Sequence, residues 1–133
     1  MNRNQFVVLF VLSTVGTTVV GAQETVKAGG GFTVIHRAQV PNAPDLEIVM
    51  GMLERDRRST SSKHYHPGGE FGFVVEGAVT ITSENHDVVT LEAGSSFHQP
   101  PGEWHVVSTG AEGTKTVLFR VLEKGDPMVV EVD

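Results

Sequence analysis

The chain has 133 residues, 16 acidic against 10 basic, a formal net charge of −6 and no cysteine. That length bounds it to one domain, and an acidic balance with no basic run longer than Arg57-Arg58 argues against nucleic acid or anionic lipid as partners. Without thiols there is no disulfide to staple a small domain, and any metal site must be built from histidine and carboxylate.

The N-terminal segment carries one charge, Arg3, then the apolar run FVVLFVL, and no further charge until Glu24. Val20-Gly21-Ala22 supplies the third-last and last residues before a cut, so residues 1–22 read as a secretory signal peptide cleaved after Ala22. An uncleaved membrane anchor and a buried core strand are the alternatives. Ser13, Thr14, Gly16, Thr17 and Thr18 dilute the stretch well below the roughly 20 apolar residues of a spanning helix. No twin arginine is present, which argues for export unfolded to the periplasm or beyond, with no membrane span left after cleavage. Residues 23–30 read as a short tether and 31–133 as the folded domain.

From there the chain is a succession of short runs rich in Val, Ile, Thr and Phe: FTVIHRAQV, LEIVMGML, EFGFVVEG, AVTITS, DVVTLEAG, EWHVVST and TVLFRVLE. Each has strand length, and turn chemistry separates them in PNAPD, SSKHYHPGG, SENHD, SSFHQPPG and TGAEGTK. No window keeps a helical period through more than two turns. About seven to nine strands at this spacing predict an all-β sandwich or barrel. Leu46, Ile48, Met50 and Met52 alternate as one uniformly apolar face, read here as the inward one, which makes Met50 and Met52 candidate pocket residues.

The chemistry is concentrated in HYHPGGEFGFVVEG, residues 64–77. In an extended strand His64 and His66 project to one face while Tyr65 points away. Pro67-Gly68-Gly69 then bends the chain so that Glu70 can swing back toward the two imidazoles. Two neutral nitrogen donors and a carboxylate make a divalent-metal constellation. The bland alternative is a pair of surface histidines beside a flexible turn. A second segment, GSSFHQPPGEWHVVST, decides between them: Gly94, five residues, Pro100, one residue, Gly102, two residues, His105.

Together these segments resemble the two motifs of the cupin superfamily. His64, His66, Glu70 and Gly77 match the first motif in register, and Gly94, Pro100, Gly102 and His105 match the second. The leading glycine of the first motif is replaced by Arg58 and the closing asparagine of the second by Thr109, both outside the ligand positions. The resemblance implies a double-stranded β-helix, a jelly-roll cupin barrel. His64, His66, Glu70 and His105 would point into it around one divalent transition metal (Fe, Mn, Ni, Cu or Zn). Small cupins commonly form homodimers, and the outward alternation of Phe71, Phe73 and Val75 would supply the covered face.

His36 and His86 read as structural or solvated, whereas His98 and Gln99, just before Pro100, are candidates to line the pocket. Three functions compete. The first is a metal-dependent enzyme on a small molecule, an oxygenase of the quercetinase-like kind. The others are a non-redox metal isomerase or lyase, and an exported non-enzymatic binder of a metal or metabolite. Small cupin lyases acting on dimethylsulfoniopropionate carry a catalytic tyrosine two residues after the glutamate ligand, where this chain has Gly72. An inner face of Met, Val, Ile and Phe predicts a nearly apolar pocket, which favours metal-centred chemistry over proton transfer.

Overall fold

The computed structural model describes residues 26–133 other than residue 30; the expected signal segment lies outside the described residues. Ten strands follow one another: β1 (Val26–Gly29), β2 (Phe32–Val40), β3 (Ala43–Arg55), β4 (His64–Tyr65), β5 (Glu70–Ser83), β6 (Val89–Glu92), β7 (Ser96–Gln99), β8 (His105–Ser108), β9 (Thr114–Glu123) and β10 (Val130–Glu131). All named pairings are antiparallel, no helix occurs among the described residues, and so none there is long and apolar enough to cross a membrane. Val26–Gly29, expected within a tether, instead pairs with β2.

The sheet curls because β5 serves two neighbourhoods. Its first half pairs with β9 and β7, and its second half with β6 and β8. The two runs expected as separate strands at 70–77 and 78–83 are thus one strand, re-aimed by a register shift between Val74 and Glu76. From β5 the path runs one way through β9, β3, β2 and β1, and the other way through β8, β4 and β10. The result is the double-stranded β-helix expected. β7 forms within SSFHQPPG, a stretch rich enough in turn residues to read as a connection.

Two apolar clusters fill the space between the curled halves. One is Phe32, Val49, Leu118 and Leu122, the other Val74, Val79, Ile81 and Val107, and Phe97 packs against both. In β9 the alternation is complete: Thr114, Thr116, Leu118, Arg120 and Leu122 are buried, and the residues between them are not. The register carries that parity into β3, where Val49 faces Arg120 and Gly51 faces Leu118. Val49, Gly51 and Leu53 therefore turn inward. Met50 and Met52 lie opposite Phe119 and Val117 on the outer face, and Ile48 is exposed with them, which corrects the expected parity. Both faces of β3 are apolar, so hydrophobic alternation could not tell them apart, and a one-residue slip inverts every side chain. Gly51 belongs inside because Phe32's ring lies 2.3 Å from where a Cβ would sit.

The two departures from the motif pattern meet in space. Arg58 has φ 54°, the left-handed conformation that suits the glycine it replaces, and its N–H donates to the Gly110 carbonyl at 2.8 Å. Thr109 Oγ1 donates to the Asp56 carbonyl at 2.5 Å and accepts from the Ser59 N–H at 3.0 Å, clamping the turn that holds Arg58. Arg58→Gly should relieve about 1 kcal/mol of backbone strain. Thr109→Val should lose about 1–3 kcal/mol by orphaning buried polar groups. Urea denaturation of both variants checks this, and a destabilised Arg58→Gly would contradict it.

Candidate metal centre

His64 and His105 are direct partners in the β4–β8 register, and His66 follows His64 by two residues. Their rings are buried, with centroids 4.4 to 5.2 Å apart, and one ring nitrogen from each lies within 4.8 Å of the others. Burial pushes His66 down to about 4 and lowers His105, so both are neutral, lone-pair-bearing ligands at physiological pH.

The orientation of each ring is set by a backbone carbonyl. His64 Nδ1 lies 2.8 Å from the Ser62 oxygen, His66 Nδ1 2.8 Å from the Met128 oxygen, and His105 Nδ1 3.3 Å from the Glu103 oxygen. A carbonyl only accepts, so Nδ1 carries the proton in every case and each Nε2 keeps its lone pair for the cavity. Three histidines are thus positioned to hold a metal ion, and their tautomers are already those that coordination needs.

The turn between His66 and Glu70 is held from both sides. Gly102, at φ 72°, aims its N–H at the His66 carbonyl at 2.9 Å, tying the Pro-Pro-Gly turn before β8 to the His-x-His segment. Gly68 passes so close to β9 that a Cβ there would fall 1.7 Å from the Val121 oxygen. Glu70 then enters β5 opposite Arg120, whose Nε donates to Glu70 Oε2 at 2.5 Å; the same oxygen lies 3.3 Å from His66 Nε2. Burial, the largest influence on Glu70, pushes its pKa up, but Arg120, His66 and His105 outweigh it and hold the carboxyl below its ordinary value.

These groups line a cavity of about 450 Å³, within the range of roughly 300–1,000 Å³ common for small-molecule sites. Its wall is mixed, with Phe32, Leu53 and Leu118 beside Arg55, Arg120 and the hydroxyls of residues 60–62. The expectation of a nearly apolar pocket is therefore corrected. Arg120 was legible in principle, since in TVLFRVLE it shares the parity of Leu118 and Leu122, a cation on a core-facing register. The carbonyls of Ser62, Glu103 and Met128 carry no signal in side-chain identity.

The remaining expected pocket residues lie elsewhere. His98 pairs with Phe71 across β7 and β5 and stacks on its ring at 4.5 Å on the outer face. Gln99 shares Glu70's face but is buried behind the cavity wall, donating to Glu103 Oε1 at 3.2 Å and accepting from Ser83 Oγ at 3.3 Å. Asn85 Nδ2 also donates to Glu103 Oε2 at 3.3 Å, so this network steadies the residue whose carbonyl orients His105. Met50, Met52, His98 and Gln99 are all absent from the cavity lining.

A family model described as "Cupin domain" matches residues 53–126, which contain the three histidines and Glu70. The chain belongs to the cupin family. No relative was found among curated proteins. Among solved structures, this cupin is similar to a DMSP lyase from Ruegeria pomeroyi, with 18% identity, TM-score 0.60, and coverage of 64% of this chain and 43% of that one. It is also similar to oxalate decarboxylase from Bacillus subtilis, with 16% identity, TM-score 0.57, and coverage of 82% of this chain and 30% of that one. An RmlC-like cupin with a double-stranded β-helix fold from Methanocaldococcus jannaschii matches at 13% identity and TM-score 0.53, over 57% of this chain and 71% of that one. The chain therefore spans less than half the length of the lyase and the decarboxylase, and at these identities the likeness is one of fold.

The sign of the pH dependence follows from His66. The unfolded imidazole takes a proton near 6.5 and the folded one near 4, so between those values the unfolded chain binds more protons and stability rises with pH. Metal-free protein should lose up to about 3 kcal/mol from this residue as pH falls through that window, with His105 adding in the same sense. Urea midpoints from pH 7 to 4 read it, and His66→Gln should flatten the slope. A parent slope no steeper than the variant's would refute it.

Proposed function

We propose that this cupin is an exported metal-dependent enzyme acting on a small molecule, with dioxygenase-like, metal-centred chemistry. The observation that carries the reading is the convergence of three carbonyl-oriented imidazoles on the wall of a 450 Å³ cavity. Glu70 is the fourth ligand in this proposal, its carboxylate held ionised beside His66 by Arg120. An ion bound there supplies Lewis-acid or redox chemistry to an oxygen-bearing ligand in the cavity. Met128, Glu103 and Ser62 keep the imidazoles aimed, and the apolar part of the wall excludes water.

Among the described residues of the lining, the ionisable side chains beyond the histidines and Glu70 are Arg55, Arg120 and Glu131. Arginine stays protonated, and Glu131 is exposed and accepts from Ser62 Oγ. That scarcity of a poised base favours metal-centred chemistry over a proton-transfer lyase. Gly72 adds to the case, because the Phe97 ring lies 2.2 Å from where a Cβ would stand, leaving no room there for a tyrosine. A non-enzymatic metal or metabolite binder is the remaining reading.

Elemental analysis and oxygen uptake with phenolic and diketone substrates test the proposal. The parent should retain a transition metal and consume oxygen with at least one substrate. His66→Ala and His105→Ala should lose most of the metal and melt at lower temperature, while His36→Ala should match the parent. Full metal occupancy in both ligand variants would remove the site, and a metal-loaded parent inert with every substrate would leave the binder or the non-redox enzyme.

The oligomer proposed is a homodimer packed through the outer face of β3, β9 and β5, where Ile48, Phe71, Phe73 and Phe119 are 38% to 50% exposed. A contiguous patch of that kind on a sheet calls for cover. Light scattering of exported protein, beginning at Gln23 by mass spectrometry, should give twice the chain mass. Phe119→Lys should give the single mass, and a monomeric parent at micromolar concentration would end the proposal.

A further inference from the structure

Two guanidinium groups of the cavity lack acceptors for buried nitrogens. Arg120 is 4% exposed and spends Nε on Glu70, yet its Nη1 meets no hydrogen-bond partner among the described residues. Arg55 Nε is likewise buried and unpartnered there. Leaving such a donor unsatisfied is costly, and more so when the group is charged. Arg120 is also fixed in direction, its guanidinium stacked 4.5 Å from the Phe32 ring centroid.

The charge count points the same way. Arg120 is buried and Arg55 partly so, and against them the cavity wall offers one buried carboxylate, Glu70, because Glu131 lies exposed. Uncompensated charge away from water is strongly disfavoured. A fixed guanidinium fork matches two coplanar oxygens. The apolar wall of Phe32, Leu53 and Leu118 suits a hydrocarbon body better than a compact polyanion.

We infer that the cavity takes a small organic carboxylate, its carboxylate received by the free donors of Arg120 and Arg55 and its apolar body lying against Phe32, Leu53 and Leu118. This deepens the proposed function by naming the substrate class, and it rests on the same cavity but not on the metal.

The test is calorimetric titration of the whole protein, zinc-loaded and chelator-treated, with benzoate, its neutral isostere benzamide, and inorganic phosphate. Benzoate should bind at least tenfold more tightly than benzamide or phosphate in both preparations. Arg55→Gln should weaken benzoate by roughly tenfold, one charge-assisted contact, with benzamide unaffected. Arg120→Lys, which keeps the charge beside Glu70 but loses the fork, should do the same, and circular dichroism verifies that both variants fold. A preference for benzoate that survives chelation supports the arginine subsite even if the metal-enzyme reading fails. Equal binding of benzoate and benzamide, a preference present only with zinc, or phosphate binding as tightly as benzoate would each overturn it.

Discussion

Three backbone carbonyls, those of Ser62, Glu103 and Met128, face three imidazole Nδ1 atoms, and the rest of the site depends on that constraint. A free histidine presents either nitrogen and rotates about two bonds; here each ring has one tautomer and one aim. The carbonyls come from distant parts of the chain, one within each motif and one near the C-terminus. Short β10 holds that last segment in place by pairing with β4, and the Val132 N–H adds a hydrogen bond to the Lys63 carbonyl. The C-terminal segment, which supplies none of the three histidines, is thereby part of the candidate metal centre.

Behind the histidines lies a buried ion pair whose value is not mainly stability. Glu70 and Arg120 sit opposite each other on β5 and β9, both almost fully enclosed. Isolating such charges from water costs several kcal/mol per ion, and apolar replacements of the same shape would often hold a fold as well. What the pair provides is a carboxylate that remains ionised at depth, beside His66 and His105, which burial keeps neutral. The donors Arg120 has left over are those the inferred carboxylate subsite would use.

The glycines and their substitutes show how the two motifs cooperate. Gly102 reaches left-handed φ to deliver an N–H to His66, so the second motif supports the first directly. Arg58 takes a similar conformation without glycine's freedom, and Thr109 supplies the hydrogen bonds that hold it. Thr109's hydrogen bonds hold the turn at Arg58, so the two departures from the pattern support each other away from the histidines.

The sequence by itself determined the strand-rich architecture and the shared face of His64 and His66, because both are written in local period and spacing; that His105 joins them was implied by the resemblance to the cupin motifs. An His-x-His pair must share a face of any extended strand, and turn residues must interrupt strands wherever they fall. What only the tertiary structure decided is everything that depends on which strand lies beside which. Met50 and Met52 went outside because β9 imposed its parity on a β3 that is apolar on both faces. His98 stacks on Phe71 rather than lining the cavity, and Gln99 acts through Glu103, because the β5–β7 register set their surroundings. Arg120 joined the site from a strand outside both motifs. Its partner lies fifty residues earlier, and the curl of β5 against β9 brings the two charges together.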